Sequence, residues 1–110
     1  YKDHIYANFN TKRTFDGLAC VGLDGRIRWK TGRKPNFEKG GILVADGVIL
    51  TMGGQTGTLA MIEATPDTYK PLAEAKVLSA RPIWATLTLV DGKLLCRDQR
   101  QLKCLQLPAR

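Results

Sequence analysis

The chain of 110 residues is long enough for one domain and too short for two independent ones, and its 44% apolar and 25% charged residues place it well away from disordered sequence. A net charge of +7 favours solubility and attraction to polyanions and is silent about fold. The longest apolar runs, residues 40–45 and 47–50, are far shorter than the ~18 residues that a transmembrane helix requires.

In chain order, the first predicted unit has strands at residues 4–8, 17–23 and 26–31, with a loop at residues 9–16. Tyr1 is preceded by no Met and followed by neither a basic n-region nor an apolar h-region, so no secretory signal is expected within the chain, which reads as a processed or excised piece. Between Arg26 and Lys39 stand Arg26, Arg28, Lys30, Arg33, Lys34 and Lys39 against one acid, Glu38. A nucleic-acid surface would interleave such cations with exposed aromatics. Without that, the stretch reads as a solvated strand edge and loop, where cations discourage sheet-to-sheet aggregation.

The second predicted unit is complete, with strands at residues 42–46, 47–53, 57–64 and about 72–79. The loop 53–57 is glycine-rich but lacks the GxxxxGK pattern of a phosphate cradle. Residues 65–75 are the one helix candidate; Pro71 interrupts it and residues 72–78 alternate like a strand, so a loop followed by an outer strand is expected. The third unit has strands at 85–90, 92–97 and 102–107 and no fourth, so the chain reads as the end of something longer.

These units repeat. Leu18-Ala19-Cys20-Val21, Leu59-Ala60-Met61-Ile62 and Leu102-Lys103-Cys104-Leu105 share a pattern, and their leading leucines are 41 and 43 residues apart. Two of these segments follow a strand pair joined by Asp-Gly, at Asp46-Gly47 and Asp91-Gly92, 45 residues apart. Asp-Gly supplies the positive φ angles of a two-residue type I′ hairpin turn. Residues 1–7 align as a truncated copy in which Asp3 corresponds to Asp46 and His4 replaces the glycine. Four short strands in a period of ~40–45 residues is the pattern of blade-type propellers, and strands apolar on both faces belong between stacked sheets.

Leu18-Ala19-Cys20-Val21-Gly22-Leu23-Asp24-Gly25-Arg26-Ile27-Arg28-Trp29 resembles the signature of the pyrroloquinoline-quinone-like (PQQ-like) repeat proteins, in which a leucine-alanine strand turns through a glycine into a strand that ends in tryptophan. It runs one residue short, and Gly22 replaces the usual aspartate, while Gly25 keeps the turn and Trp29 the aromatic. Residues 83–92, with Trp84, are similar to the lead-in to a new blade. The resemblance spans nearly the whole chain. It implies an all-β fold, a partial β-propeller of about two and a half four-stranded antiparallel blades at residues 4–31, 42–79 and 85–107. It also implies an extracytoplasmic or periplasmic setting and two functional classes. One is a non-catalytic scaffold or binding module, with the remaining blades of a parent chain and a further protein as partners. The other is a quinoprotein alcohol or sugar dehydrogenase, holding PQQ and calcium. The chain has no adjacent cysteines and no calcium-type spacing of Asp, Asn and Glu, so the scaffold class is expected, with no cofactor, no catalytic residue and no metal site in this chain.

Trp29 is expected to pack between blades, and Trp84, near the start of an inner strand, is the one weak candidate for a cofactor-lining residue. Cys20, Met61 and Cys104 occupy one repeat position and are expected in the core as soft hydrophobes. Cys96 and Cys104 are expected to face each other across the last hairpin, as a disulfide or as a reduced pair. His4, the sole histidine, reads as a surface residue rather than a catalytic base. Asp46 and Asp91 read as turn residues rather than paired carboxylates.

Overall fold

A computed structural model describes residues 1–11 and 15–108, so the middle of the loop expected at 9–16 lies outside the described residues. The described residues form ten strands and no helix. Three antiparallel meanders result: β1 (His4–Asn10), β2 (Phe15–Gly22) and β3 (Ile27–Lys30) in sheet 1; β4 (Ile42–Ala45), β5 (Val48–Met52), β6 (Thr58–Glu63) and β7 (Pro71–Lys76) in sheet 2; β8 (Thr88–Val90), β9 (Lys93–Arg97) and β10 (Leu102–Gln106) in sheet 3. The loop expected at 9–16 is narrower than anticipated, because Asn10 still pairs with Phe15. Residues 85–87 precede the eighth strand rather than belonging to it.

Each hairpin tip is set by backbone chemistry. Asp46 and Gly47 have φ angles of 49° and 75°, and Asp91 and Gly92 of 50° and 73°, as a type I′ turn requires. The same turn occurs at the start of the chain, where Lys2 and Asp3 have φ angles of 47° and 64° and the His4 amide donates to the Tyr1 carbonyl at 3.1 Å. Lys2, not Asp3, is therefore the counterpart of Asp46, and the alignment of the truncated copy moves by one residue. Neither Lys2 nor Asp3 is a glycine, which is why the sequence pattern missed the turn.

Strand register makes the repeat exact in space. Tyr6 lies opposite Cys20, Leu50 opposite Met61 and Leu95 opposite Cys104. On the other face the equivalent pairs are Ile5 with Val21, Ile49 with Ile62 and Leu94 with Leu105. Two cores follow. Tyr6, Leu18, Cys20 and Trp29 of sheet 1 pack on Ile49, Ala60 and Ile62 of sheet 2. Val48, Leu50, Met52 and Leu59 from the opposite face of sheet 2 pack with Leu87, Leu94 and Cys96 of sheet 3. All five residues of β5 are buried. Successive side chains of a strand point to opposite faces, so β5 serves both cores at once.

One repeat position has three fates. Leu18 and Leu59 are buried, at 1% and 7% exposure, whereas Leu102 is 69% exposed. Cys20 is likewise buried, Met61 partly buried and Cys104 exposed. The expectation that Cys104 is a core residue is thus corrected: its face of sheet 3 is the one that, in sheets 1 and 2, is covered by the next sheet. The cross-hairpin pairing also differs. Cys96 lies opposite Lys103 and Cys104 opposite Leu95, so the two cysteines project from opposite faces, and both are free thiols.

Truncation at equivalent positions should therefore have unequal effects. Leu59→Ala is expected to cost ~2–5 kcal/mol of stability, the range for a buried leucine. Leu102→Ala is expected to stay within about 0.5 kcal/mol, as for an exposed site. Urea unfolding followed by circular dichroism measures both.

Candidate functional site

The loops between sheets and the β5–β6 and β9–β10 connections are fastened together by hydrogen bonds. Asn8 and Asn10 donate from their amide nitrogens to the Phe37 carbonyl at 2.5 and 2.9 Å. The Glu38 carboxylate accepts from the Thr56 amide and hydroxyl at 3.1 and 2.9 Å, and the Ile83 amide donates to the Gly54 carbonyl at 2.8 Å. The glycine-rich loop expected at 53–57 thus receives both inter-sheet linkers.

Asp98 is the most heavily bonded carboxylate here. Only 3% exposed, it accepts from the backbone amides of Ser79, Ala80, Arg100 and Gln101 at 2.8–3.1 Å. The Ala80 amide and the others hold its carboxyl well below the ordinary aspartate range. One side chain thereby closes its own turn and anchors the linker that leads into sheet 3. Sequence reasoning did not single out Asp98; an aspartate two and three residues before the amides it accepts is the signal of an Asx turn, and it was available.

Trp84 stands beside this cluster and is 63% exposed. Its indole nitrogen lies so close to Gly54 that a Cβ there would come within 2.8 Å of it. Around it are Pro82, Ala85, Arg97, Asp98 and Gln99, a shallow surface with no acidic or thiolate donors apart from the already saturated Asp98. Among the described residues no three His, Cys, Asp or Glu side chains come together as a metal site. The residues around Trp84 do not fit a quinone and calcium pair.

The remaining residues singled out from sequence fall into structural places. Trp29 is buried between sheets 1 and 2, tilted against Tyr6 and Tyr69 with ring centroids at 6.2 and 5.8 Å, and its indole N–H donates to the Thr65 carbonyl at 2.7 Å. Burial pushes up the Cys20 and Cys96 thiols and the Tyr6 phenol, so none is an activated nucleophile. Gly25 closes the β2–β3 turn with a φ of 81°. Asp46 and Asp91 sit on separate hairpin tips. His4 keeps a local contact, its Nδ1 lying 3.0 Å from the Lys2 carbonyl.

The basic stretch on β3 and beyond is partly compensated. Arg28 pairs with Asp24 at 3.2 Å and Lys30 with Asp16 at 2.9 Å, while the Arg33 guanidinium lies 4.3 Å from the Phe15 ring centre. Exposed pairs of this kind are worth ~0–1 kcal/mol each.

What the structure does present openly is its two end faces. Ile5 and Ile27 are each half exposed on the outer face of sheet 1, and Leu102 and Cys104 are exposed on the outer face of sheet 3, beside partly buried Leu95. Comparison of the chain with family models, with curated proteins and with solved structures finds no match.

The Asp98 anchor gives a pH signature with a definite sign. Its carboxyl is lowered in the folded chain from about 3.9 in the unfolded one. Its contribution is therefore complete above that unfolded value and is lost as pH falls through the lower folded one. The urea midpoint of the native chain should drop across the acid range, and Asp98→Asn should lower the midpoint at neutral pH while flattening that acid limb.

Proposed function

We propose that the chain is a non-catalytic repeat segment of a larger β-propeller resembling the PQQ-like repeat proteins, working as a scaffold or binding module. Its immediate partners are further blades, and its wider partner is another protein bound at the loop ends. The extracytoplasmic setting of such proteins belongs to this reading through the resemblance alone.

The observation that carries it is the state of one repeat position. Leu18 with Cys20, and Leu59 with Met61, are each covered by a following sheet, whereas Leu102 and Cys104 stand on an uncovered face built with the same register. The outer face of sheet 1, with Ile5 opposite Val21, is in turn the counterpart of the faces of sheets 2 and 3 that rest on a preceding sheet. The two ends are unlike and complementary, which is the arrangement of a segment in a series. Covering a leucine-sized side chain stabilises by ~1.5–3 kcal/mol. An exposed apolar face of this kind marks an interaction surface.

The reading predicts that the isolated chain binds an apolar dye and that its weight-average mass in light scattering rises with concentration. Leu102→Glu should reduce both while leaving the urea midpoint nearly unchanged. A chain that stays monomeric at millimolar concentration and leaves the dye dark sinks the proposal.

A further inference from the structure

We infer that the cleft between sheets 2 and 3 is a binding site for a small planar aromatic molecule carrying a ring N–H, of the size and chemistry of indole. This inference stands on the equivalence of the repeats and does not depend on their closing into a ring.

Between sheets 1 and 2, the space beside the Tyr6–Cys20 pair is filled by the chain's own rings. Trp29 lies directly opposite Cys20, touches Tyr6 and Tyr69, and donates its indole N–H to the Thr65 carbonyl. Between sheets 2 and 3 two of those ring positions hold smaller residues. Leu50 replaces Tyr6, and Ala73, opposite Met61, replaces Trp29. Both pairings are followed by the same register shift, after Cys20 and after Met61, so the substitution of Ala73 for Trp29 is position for position.

Counterparts of residues around that indole border open space in the second interface. A cleft of about 360 Å³ lies there, lined by Leu50 and Met61 from sheet 2 and by Leu89, Leu107 and Pro108 from sheet 3. Those sheet 3 residues are the counterparts of Val44, Ala64 and Thr65, because Leu107 donates to the Gly92 carbonyl just as Ala64 donates to that of Gly47. The first two of those counterparts pack against the Trp29 core, and the third accepts the indole proton. The Pro108 carbonyl is thus the counterpart of the Thr65 acceptor. The cleft is at the lower end of the ~300–1,000 Å³ range of small-ligand pockets and, as such sites do, combines apolar walls with few polar groups.

The test uses the whole chain and free indole, followed through side-chain methyl signals. Saturable shifts are expected at the Met61, Leu50, Leu89 and Leu107 methyls, with a dissociation constant on the order of 1 mM or below. N-methylindole, which cannot donate, should bind about five-fold more weakly. Ala73→Trp supplies the missing ring from the chain itself and should abolish the shifts. Leu50→Tyr, a smaller change that restores the residue sheet 1 has there, should weaken indole at least ten-fold. No saturable shift at Met61, shifts confined to Leu102 and Ile5 on the open faces, or unchanged affinity in a folded Leu50→Tyr chain would each overturn the assignment. None of these results bears on self-association through the end faces, so the two proposals fail separately.

Discussion

Everything in this fold depends on sheet 2 being apolar on both sides. Ile49 and Leu50 are consecutive residues of β5, both buried, and they belong to different cores. A strand can do this only if it alternates and if both alternating sets are hydrophobic, which is the pattern of a strand enclosed between layers. A charge at either residue would leave it buried without a partner, at a cost that single domains rarely absorb. Sheets 1 and 3 also carry apolar residues on both faces, Ile5 and Ile27 on the outer face of one and Leu95, Leu102 and Cys104 on that of the other, yet only one face of each is covered. The centre of the stack is a finished structure, and its two ends repeat the chemistry of the centre without the neighbour.

This explains which parts of the fold were legible in the sequence. Asp46-Gly47 and Asp91-Gly92 state their turn directly, because few other residue pairs adopt two successive positive φ angles. The Leu-x-Cys or Leu-x-Met pattern at residues 18, 59 and 102 follows from those turns, since fixed hairpin tips fix which residues share a face. Burial was not legible, because the same pattern at Leu102 describes a surface whose cover is not local. Nor was the cross-strand position of Cys104. That pairing is set by the turn at residues 98–101, where the Asp98 carboxylate gathers the Arg100 and Gln101 amides, and spacing alone placed it one residue off. A one-residue slip changes the face of every side chain, which is why a cysteine pair expected to meet is instead split between two faces.

Of the candidate site residues, Trp29 and Trp84 show how far residue type alone can carry an argument. Trp29 lies within β3 and Trp84 in the linker that leads to β8, and one is enclosed while the other is mostly exposed. Trp29 has an acceptor for its N–H in the Thr65 carbonyl and two rings tilted against it, so its polar and apolar needs are both met within the chain. Trp84 lies against the Gly54 backbone, in a part of the molecule organised by hydrogen bonds rather than by packing. The difference lies in the linkers, whose paths across the loop ends are fixed by Asn10, Glu38 and Asp98 and have no hydrophobic period to read.

Repeats that share a backbone need not share a filling. The first interface closes around four aromatic rings, and the second, on the same register, closes around aliphatic and sulfur-containing side chains of smaller volume. Interiors pack close to the density of organic crystals, so exchange of an indole for a methyl group at one equivalent position must be met by collapse, by a larger neighbour or by space. Collapse is opposed here, because the spacing of sheets 2 and 3 is also set elsewhere, by Leu78, Ile83 and Leu94 in the buried centre and by Asp98 holding the linker. Larger neighbours take up only part of it, since Met61, Leu89 and Leu107 stand where Cys20, Val44 and Ala64 stand while Leu50 is smaller than Tyr6. Space is what remains, and it lies beside the hairpin tips, where Asp46 and Gly92 border it and solvent has access. In a stack built from copies of one unit, the place where the filling changes is the place where a ligand can enter without disturbing the frame.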